Sequence, residues 1–156
     1  MMRIGHGYDA HTFTEGKPLV LGGVTIPYDK GLKAHSDGDA VIHSLCDALL
    51  GAAALGDIGT YYPDTDDKYK NIDSRILLKD VMKTIKEKGF KVGNADITIL
   101  AQEPRLLPYV NEMRKILSSD MEISIDDINI KATTTEEMGF VGRKEGVCVY
   151  TICIFY

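Results

Sequence analysis

Asp9 and His11 stand two residues apart in GHGYDAH, residues 5–11. Side chains of an extended strand alternate between faces, so an Asp-x-His pair presents a carboxylate and an imidazole side by side. Both are zinc ligands, and one more would make a site with three protein ligands and an open position for substrate or water. His43 is the candidate third ligand. It sits in SDGDAVIHSLCDALLGAAALG, residues 36–56, on a polar stripe formed by Asp39, His43 and Asp47 at spacings of four. In a helix that spacing places all three on one face. The same residues also fit a plainer arrangement, with His11 at a solvated strand end and His43 as a hydrogen-bonded core histidine.

Other stretches offer phosphate and nucleotide chemistry. AHSDGD, residues 34–39, leads into the same helical run. The free amides and dipole of a helix start favour an anion, so His35 and Ser36 are candidates for holding phosphate, while Ser36 and Asp37 equally suit a cap. Asp57, Ile58 and Gly59 in GDIG fit either a clamp for a diol or an ordinary turn. In KATTTEEMGFVGR, residues 131–143, the hydroxyls of Thr133, Thr134 and Thr135 can bond phosphoryl oxygens. Glu136 there can bind a hard cation such as magnesium, and Arg143 can pair with phosphate. Threonine is also an ordinary strand residue, and Glu136 equally begins a helical turn. The backbone of AQEPRLL, residues 101–107, can read the edge of a base or simply turn from strand to helix.

The elements that must position these groups follow from periodicity. Residues 2–12 read as a strand, and PLVLGGVTIP as a hairpin around Gly22 and Gly23. A helix capped at Ser36 or Asp37 runs toward a stop at Gly56. Residues 61–71, YYPDTDDKYKN, read as a mobile loop. A second helix follows, with Ile76, Leu77, Val81, Met82 and Ile85 on its buried side and Gly89 as terminator. NADITILAQ alternates as a strand, LLPYVNEMRKIL resumes helical spacing, and INIKATTTE and GVCVYTICIFY close the chain as strands. With no regular βα repeat and no Gly-x-Gly-x-x-Gly, a doubly wound fold is disfavoured, and a two-layer α/β sandwich of mixed sheet and helices fits better. The last strand is apolar on both faces: Val147, Val149 and Phe155 on one, Cys148, Tyr150, Ile152 and Ile154 on the other. Helices can cover only one of them, so the other calls for a further subunit.

The 156 residues suit one domain, 1–156, able to bury roughly two thirds of its unfolded surface. A net charge of −5 argues against a nucleic-acid groove. The three cysteines, Cys46, Cys148 and Cys153, lie in apolar runs and read as buried thiols in a reducing compartment. No run approaches the ~20 apolar residues of a membrane span. The expected location is cytoplasmic, or a plastid if a targeting segment has been removed.

Taken in order, GHGYDAH, AHSDGDAVIHSLCDALLGAAALGDIG, PDTD, AQEPRL and KATTTEEMGFVGR make a sequence that resembles the 2-C-methyl-D-erythritol 2,4-cyclodiphosphate synthase family of the non-mevalonate isoprenoid pathway. The resemblance extends over essentially the whole chain. It implies a compact α/β subunit assembling as a homotrimer, with active sites between neighbouring subunits. It also implies that 4-diphosphocytidyl-2-C-methyl-D-erythritol 2-phosphate is cyclised to the 2,4-cyclodiphosphate with release of CMP.

Carried over by residue, the resemblance makes Asp9, His11 and His43 the zinc ligands. His35 and Ser36 hold the phosphate and diol region, and Asp57, Ile58 and Gly59 contact the methylerythritol. Tyr62, Pro63, Asp64, Thr65 and Asp66 belong to a flexible covering loop. Ala101, Gln102, Glu103, Pro104, Arg105, Leu106 and Leu107 cradle cytosine from the neighbouring subunit. Thr133, Thr134, Thr135 and Glu136 lie about the diphosphate, and Glu136 takes a second divalent cation, magnesium or manganese. Phe140 and Arg143 match positions near a threefold axis, beside a cavity that can bind an isoprenoid or phosphate-like molecule. Three positions depart from the family's common residues: Tyr8 for phenylalanine, Ala10 for valine and Arg105 for lysine. None of them is a metal ligand, though Arg105 changes the donor geometry toward the diphosphate.

The implied chemistry is an intramolecular phosphoryl transfer with His35 and Thr134 stabilising the transition state. The nucleophile is already an anionic phosphate, so the protein's tasks are orientation and charge neutralisation. Two rival readings share the residues: a zinc-dependent phosphoester hydrolase, which would give no cyclic product, and a non-catalytic trimer that binds a nucleotide or isoprenoid.

Overall fold

The structure, a computed structural model, describes residues 1–156. The alternation expected near the N-terminus appears in β1 (Arg3–Thr14), where Gly5, Gly7, Asp9 and His11 take the more buried positions and Ile4, His6, Tyr8 and Ala10 the exposed ones. The hairpin around Gly22 and Gly23 is formed by β2 (Leu19–Leu21) and β3 (Val24–Ile26), a two-stranded sheet of its own. The chain continues through β4 (Gly31–Leu32), α1 (Ala40–Ala52), α2 (Ile58–Tyr61), α3 (Ser74–Glu87), β5 (Val92–Leu100), α4 (Val110–Met121), β6 (Ile128–Thr133), α5 (Gly139–Gly142) and β7 (Gly146–Phe155). No helix is long and apolar enough to cross a membrane.

The main sheet has the order β4-β1-β7-β5-β6 and is mixed: β5 and β6 run parallel, and the other pairs antiparallel. Helix α1 lies on β1 and β7, α4 lies beside β6, and α3 packs against both helices. Leu45 and Leu49 of α1, Ile97 of β5, Met113 of α4 and Val149 of β7 are fully buried in the layer between sheet and helices. The result is the expected two-layer α/β sandwich. The three cysteines are free and buried.

The other face of the sheet has no helix over it. Ile4 and Tyr8 of β1 and Tyr150 and Ile152 of β7 are 63%, 46%, 42% and 51% exposed, while Val147, Val149, Thr151, Cys153 and Phe155 point into the core. The two-sided apolar character of the last strand is therefore real, and one side of it stands bare in the single chain.

Gly5 and Gly7 set how closely α1 approaches β1. A Cβ at Gly5 would overlap the Ala48 carbonyl, and one at Gly7 the Ser44 carbonyl. With hydrogen in place of a side chain at both inward positions, the helix backbone rests on the strand, and His43 arrives over the next two inward residues, Asp9 and His11. We expect Gly7→Ala to push α1 outward, costing about 1–3 kcal/mol of stability as overpacking does and lowering metal affinity at the same time. Urea unfolding together with zinc competition checks this, and wild-type affinity in the variant would show that helix height does not set the site.

Four expectations are corrected. The cap of α1 is Asp39, not Ser36 or Asp37: Gly38 turns the chain at φ +78°, and the Asp39 carboxylate then accepts from Ile42 N at 3.0 Å. It also accepts from Gly22 N and Gly23 N at 2.9 and 2.7 Å, tying the small hairpin to the helix start. Ile76 is 57% exposed, because the buried stripe of α3 runs through Ser74, Leu77, Leu78, Val81, Met82 and Ile85. Residues 61–71 are not featureless: they include the end of α2 and a 3-10 turn at Asp67–Tyr69 capped by Asp66. The segment from Leu106 begins with a 3-10 turn, Leu107–Tyr109, and becomes α-helical only at Val110.

Candidate metal centre and substrate clefts

Asp9, His11 and His43 converge, each offering one ligand atom, and the three atoms lie within 4.8 Å of one another. His11 Nε2 is 2.7 Å from Asp9 Oδ2, and His43 Nδ1 is 3.3 Å from the same oxygen and 3.4 Å from His11 Nε2. The outer ring nitrogens are also engaged. His11 Nδ1 lies 3.0 Å from the Lys33 carbonyl, and as the donor to it leaves the Nε2 lone pair facing the cluster. Two neutral imidazoles and a carboxylate aimed at one point are the donor set that zinc prefers, so the residues present fit that ion.

The charges within the cluster reinforce one another. Burial pushes the Asp9 carboxyl up, but the hydrogen bonds and charges of His11 and His43 outweigh it and hold the group below the usual carboxylate value. Burial pushes His11 down, yet its hydrogen bond to Asp9 and that carboxylate's charge raise it overall. In the metal-free protein the raised His11 contributes stability that is lost as pH rises through its folded value. The depressed Asp9 contributes stability that is lost as pH falls through its own, so the pair is strongest between the two. Zinc must displace the His11 proton. Its apparent affinity is expected to fall as the pH drops below the raised His11 value, because the proton and the ion compete for the ring. Competition with a chelating dye across that range measures the slope, and a flat profile would remove His11 from the ligand set.

The triad lies in the wall of a cavity of about 840 Å³ that His35, Ser36, Ile58, Gly59 and the segment Tyr62–Thr65 also line. His35 Nε2 is 3.0 Å from the Asp66 carbonyl, which joins the phosphate candidate to the covering loop. Tyr62 donates its hydroxyl proton to Asp80 of α3. Two candidates stand apart from this wall. Asp57 is the N-cap of α2, its Oδ1 accepting from Thr60 N and Thr60 Oγ1 at 2.9 and 3.0 Å. The Asp66 carboxylate caps its own turn through Lys68 N. At the start of α1 the Ile42 amide is taken by Asp39, and His35 and Ser36 would reach an anion through their side chains.

A second cleft, of about 510 Å³, is lined by Ala101–Leu107, Val110 and Ile130–Thr134. Gln102 Oε1 accepts from Glu137 N at 3.1 Å, pinning this loop to the threonine segment. Thr134 Oγ1 accepts from Glu136 N at 3.2 Å, and Thr135 Oγ1 donates to the Met138 carbonyl at 2.6 Å. Glu136 is exposed and belongs to no three-ligand cluster. Arg143 pairs with Glu145 at 2.7 Å, and Phe140 lines a small cleft with Ala10, His11 and Thr12.

One chain does not bring the two clefts together. Thr133 pairs with Leu100, Leu100 with Cys148, and Cys148 with Ala10, so the threonines and the triad share one end of the sheet three strands apart, about 14 Å. Thr133 itself follows Asn129 and Lys131 on the open face, whereas Asp9 and His11 lie under α1.

The structure adds residues that pattern alone had not singled out as site residues. Asp47 accepts from Ile58 N at 2.9 Å and so anchors the cavity wall to α1, one turn beyond His43. Lys17 donates to the Ala34 and Ser36 carbonyls on either side of His35. Ser74 and Asp37 lie behind His43. Asp47 was visible as part of the polar stripe; the others carry no local signal.

Comparison with known proteins agrees with these features. A family model described as the YgbB family matches residues 2–156. The 2-C-methyl-D-erythritol 2,4-cyclodiphosphate synthase of Vibrio vulnificus (strain CMCP6) is 56% identical over 154 residues, 99% of this chain and 98% of that protein. The bifunctional IspDF from Campylobacter jejuni superposes with a TM-score of 0.96 at 48% identity, covering 99% of this chain and 42% of the other. IspF from Plasmodium falciparum, solved as a CDP complex, matches with a TM-score of 0.87 at 34% identity over 99% of this chain and 95% of that one.

Proposed function

The chain belongs to the YgbB family, and from that premise we propose that it converts 4-diphosphocytidyl-2-C-methyl-D-erythritol 2-phosphate to 2-C-methyl-D-erythritol 2,4-cyclodiphosphate and CMP. A 2-phosphate oxygen bonds to the β-phosphorus, the bond from that phosphorus to the oxygen bridging the α-phosphate breaks, and CMP leaves with the bridging oxygen. The observation that carries this reading is the triad in the wall of a cavity of about 840 Å³, large enough for a phosphorylated polyol.

Zinc held by Asp9, His11 and His43 would supply positive charge beside the β-phosphate, and magnesium or manganese on Glu136, sharing its remaining ligands with phosphate and water, would supply it beside the diphosphate. The chain does the rest. Ser36 and His35 orient the 2-phosphate at the mouth of the cavity, and Ile58 and Gly59 give the methylerythritol an apolar wall. The loop Tyr62–Asp66, held to α3 through Asp80, excludes water that would hydrolyse the β-phosphate. Backbone groups of Ala101–Leu107 receive the cytosine, and Arg105 meets the diphosphate from the same cleft. Thr134 accepts from Glu136 N, which leaves its hydroxyl proton free to donate to a phosphoryl oxygen as charge builds there. His35 donates in the same way once it lets go of the Asp66 carbonyl.

Phosphorus NMR of the cytidylyl substrate with the full chain, with and without divalent metal, tests the reaction. The expected products are the cyclic diphosphate and CMP. A linear phosphate product would make the protein a hydrolase, and CMP binding without turnover would make it a non-catalytic nucleotide binder.

A homotrimer completes the site. The base cleft and the triad lie three strands apart in one chain, and the apolar face carrying Ile4, Tyr8, Tyr150 and Ile152 is bare. Closed cyclic symmetry covers that face and sets the base cleft of one subunit against the triad of the next. Phe140 and Arg143 would then border a central cavity open to an isoprenoid or phosphate-like ligand. Sedimentation is expected to give a trimer, and a stable monomer at micromolar concentration would overturn both the assembly and the shared site.

A further inference from the structure

We propose that Asp37 and Ser74 act as positioning residues for the metal centre, selecting the tautomer in which His43 keeps its Nδ1 lone pair for the ion. The inference rests on the reading of Asp9, His11 and His43 as a metal site. Ser74 is the first residue of α3 and is fully buried. Its Oγ lies 2.5 Å from Asp37 Oδ1 and 2.9 Å from His43 Nε2. Asp37 also accepts from Ser74 N at 2.9 Å and from Asp39 N at 3.0 Å, so every partner of this carboxylate is a donor.

A serine hydroxyl has one proton. Given to Asp37, it leaves only lone pairs on Ser74 Oγ toward His43, and a contact of 2.9 Å is then favourable only when Nε2 carries the imidazole proton. The neutral ring has a single N–H, so Nδ1, which faces Asp9 Oδ2 and His11 Nε2, is left unprotonated, and a hydrogen bond from His43 to Asp9 is made only by the doubly protonated ring. Ser36 Oγ, 3.1 Å from the same Nε2, is satisfied by either tautomer, because its own proton has no other acceptor among its hydrogen bonds. Ser74 has no such freedom. The Asp37–Ser74–His43 chain thus works as a carboxylate–histidine–metal arrangement with a hydroxyl inserted, and it belongs to α3 and the loop before α1 and not to the helix that bears the ligand.

The first test needs no variant. In the full-length protein labelled with ¹⁵N at histidine, long-range ¹H–¹⁵N correlations are expected to place the His43 proton on Nε2, both without metal and with zinc bound. A proton on Nδ1 in the metal-free protein would overturn the proposal. The second test measures zinc affinity by dye competition. Ser74→Ala is expected to weaken zinc by about 10- to 100-fold, the usual cost of losing an outer partner. Asp37→Asn should weaken it as well, and adding Asp37→Asn to Ser74→Ala should cost little further, because the carboxylate reaches His43 only through the hydroxyl and the asparagine oxygen still accepts from a backbone amide. Wild-type zinc affinity in a folded Ser74→Ala protein, or fully additive losses in the double variant, would overturn it. A wild-type chain that takes up no zinc would refute the metal site itself, and the tautomer measurement would still decide whether Asp37 and Ser74 select the Nε2–H form.

Discussion

His43→Ala is expected to release the zinc and to lower turnover by at least about 10³-fold, the scale of removing several kcal/mol of charge stabilisation from a phosphoryl transfer. The alanine removes one of only three protein ligands, and the remaining pair, Asp9 and His11, would revert to their mutual contact at 2.7 Å. The change also takes one hydrogen-bond partner from each of two buried serines, Ser36 and Ser74, so some loss of stability is expected too. Metal content, kcat and the urea midpoint measured on the same preparation separate the two effects. A variant that is folded, zinc-free and fully active would refute the metal centre.

The second large effect is at Thr134. Thr134→Val keeps the β-branched shape and removes the hydroxyl, and it is expected to lower kcat by roughly 10²-fold, the scale of a lost oxyanion donor. KM should move little, because a contact made mainly in the transition state does not hold the ground state. The hydroxyl also accepts from Glu136 N, at a residue with φ of +53°, so its loss could instead unsettle the turn that carries Glu136. Thr134→Ser distinguishes these: it keeps both the donor and the acceptor and should restore most of the rate. Wild-type kcat in a trimeric, zinc-loaded Thr134→Val protein would reject the role and leave His35 as the only side chain assigned to the transition state.

Much of the fold and part of the site were legible from residue order, because the signals concerned are periodic and local. Strand alternation alone put Asp9 and His11 on one face, and helical spacing put His43 and Asp47 one turn apart on another. The bare face of β7 could be read from Tyr150 and Ile152 for the same reason. Pattern could not say how near those faces would come. That depended on Gly5 and Gly7, whose missing side chains let α1 settle onto β1, and such a contact involves residues some forty positions apart. Nor did pattern single out Asp39 as the cap, since Ser36 and Asp37 suit the role from sequence. The choice fell to Asp39 because folding brings the amides of Gly22 and Gly23 to its carboxylate. Ile76 fitted the helical stripe as well as Leu78 did, and only the direction in which α3 meets α1 and α4 decided between them. Ser74 and Asp37 show the limit most clearly. Each is an unremarkable polar residue in sequence, and the hydrogen bonds joining them to His43 span more than thirty residues, so they exist only once the loop before α1 and the start of α3 have been packed together.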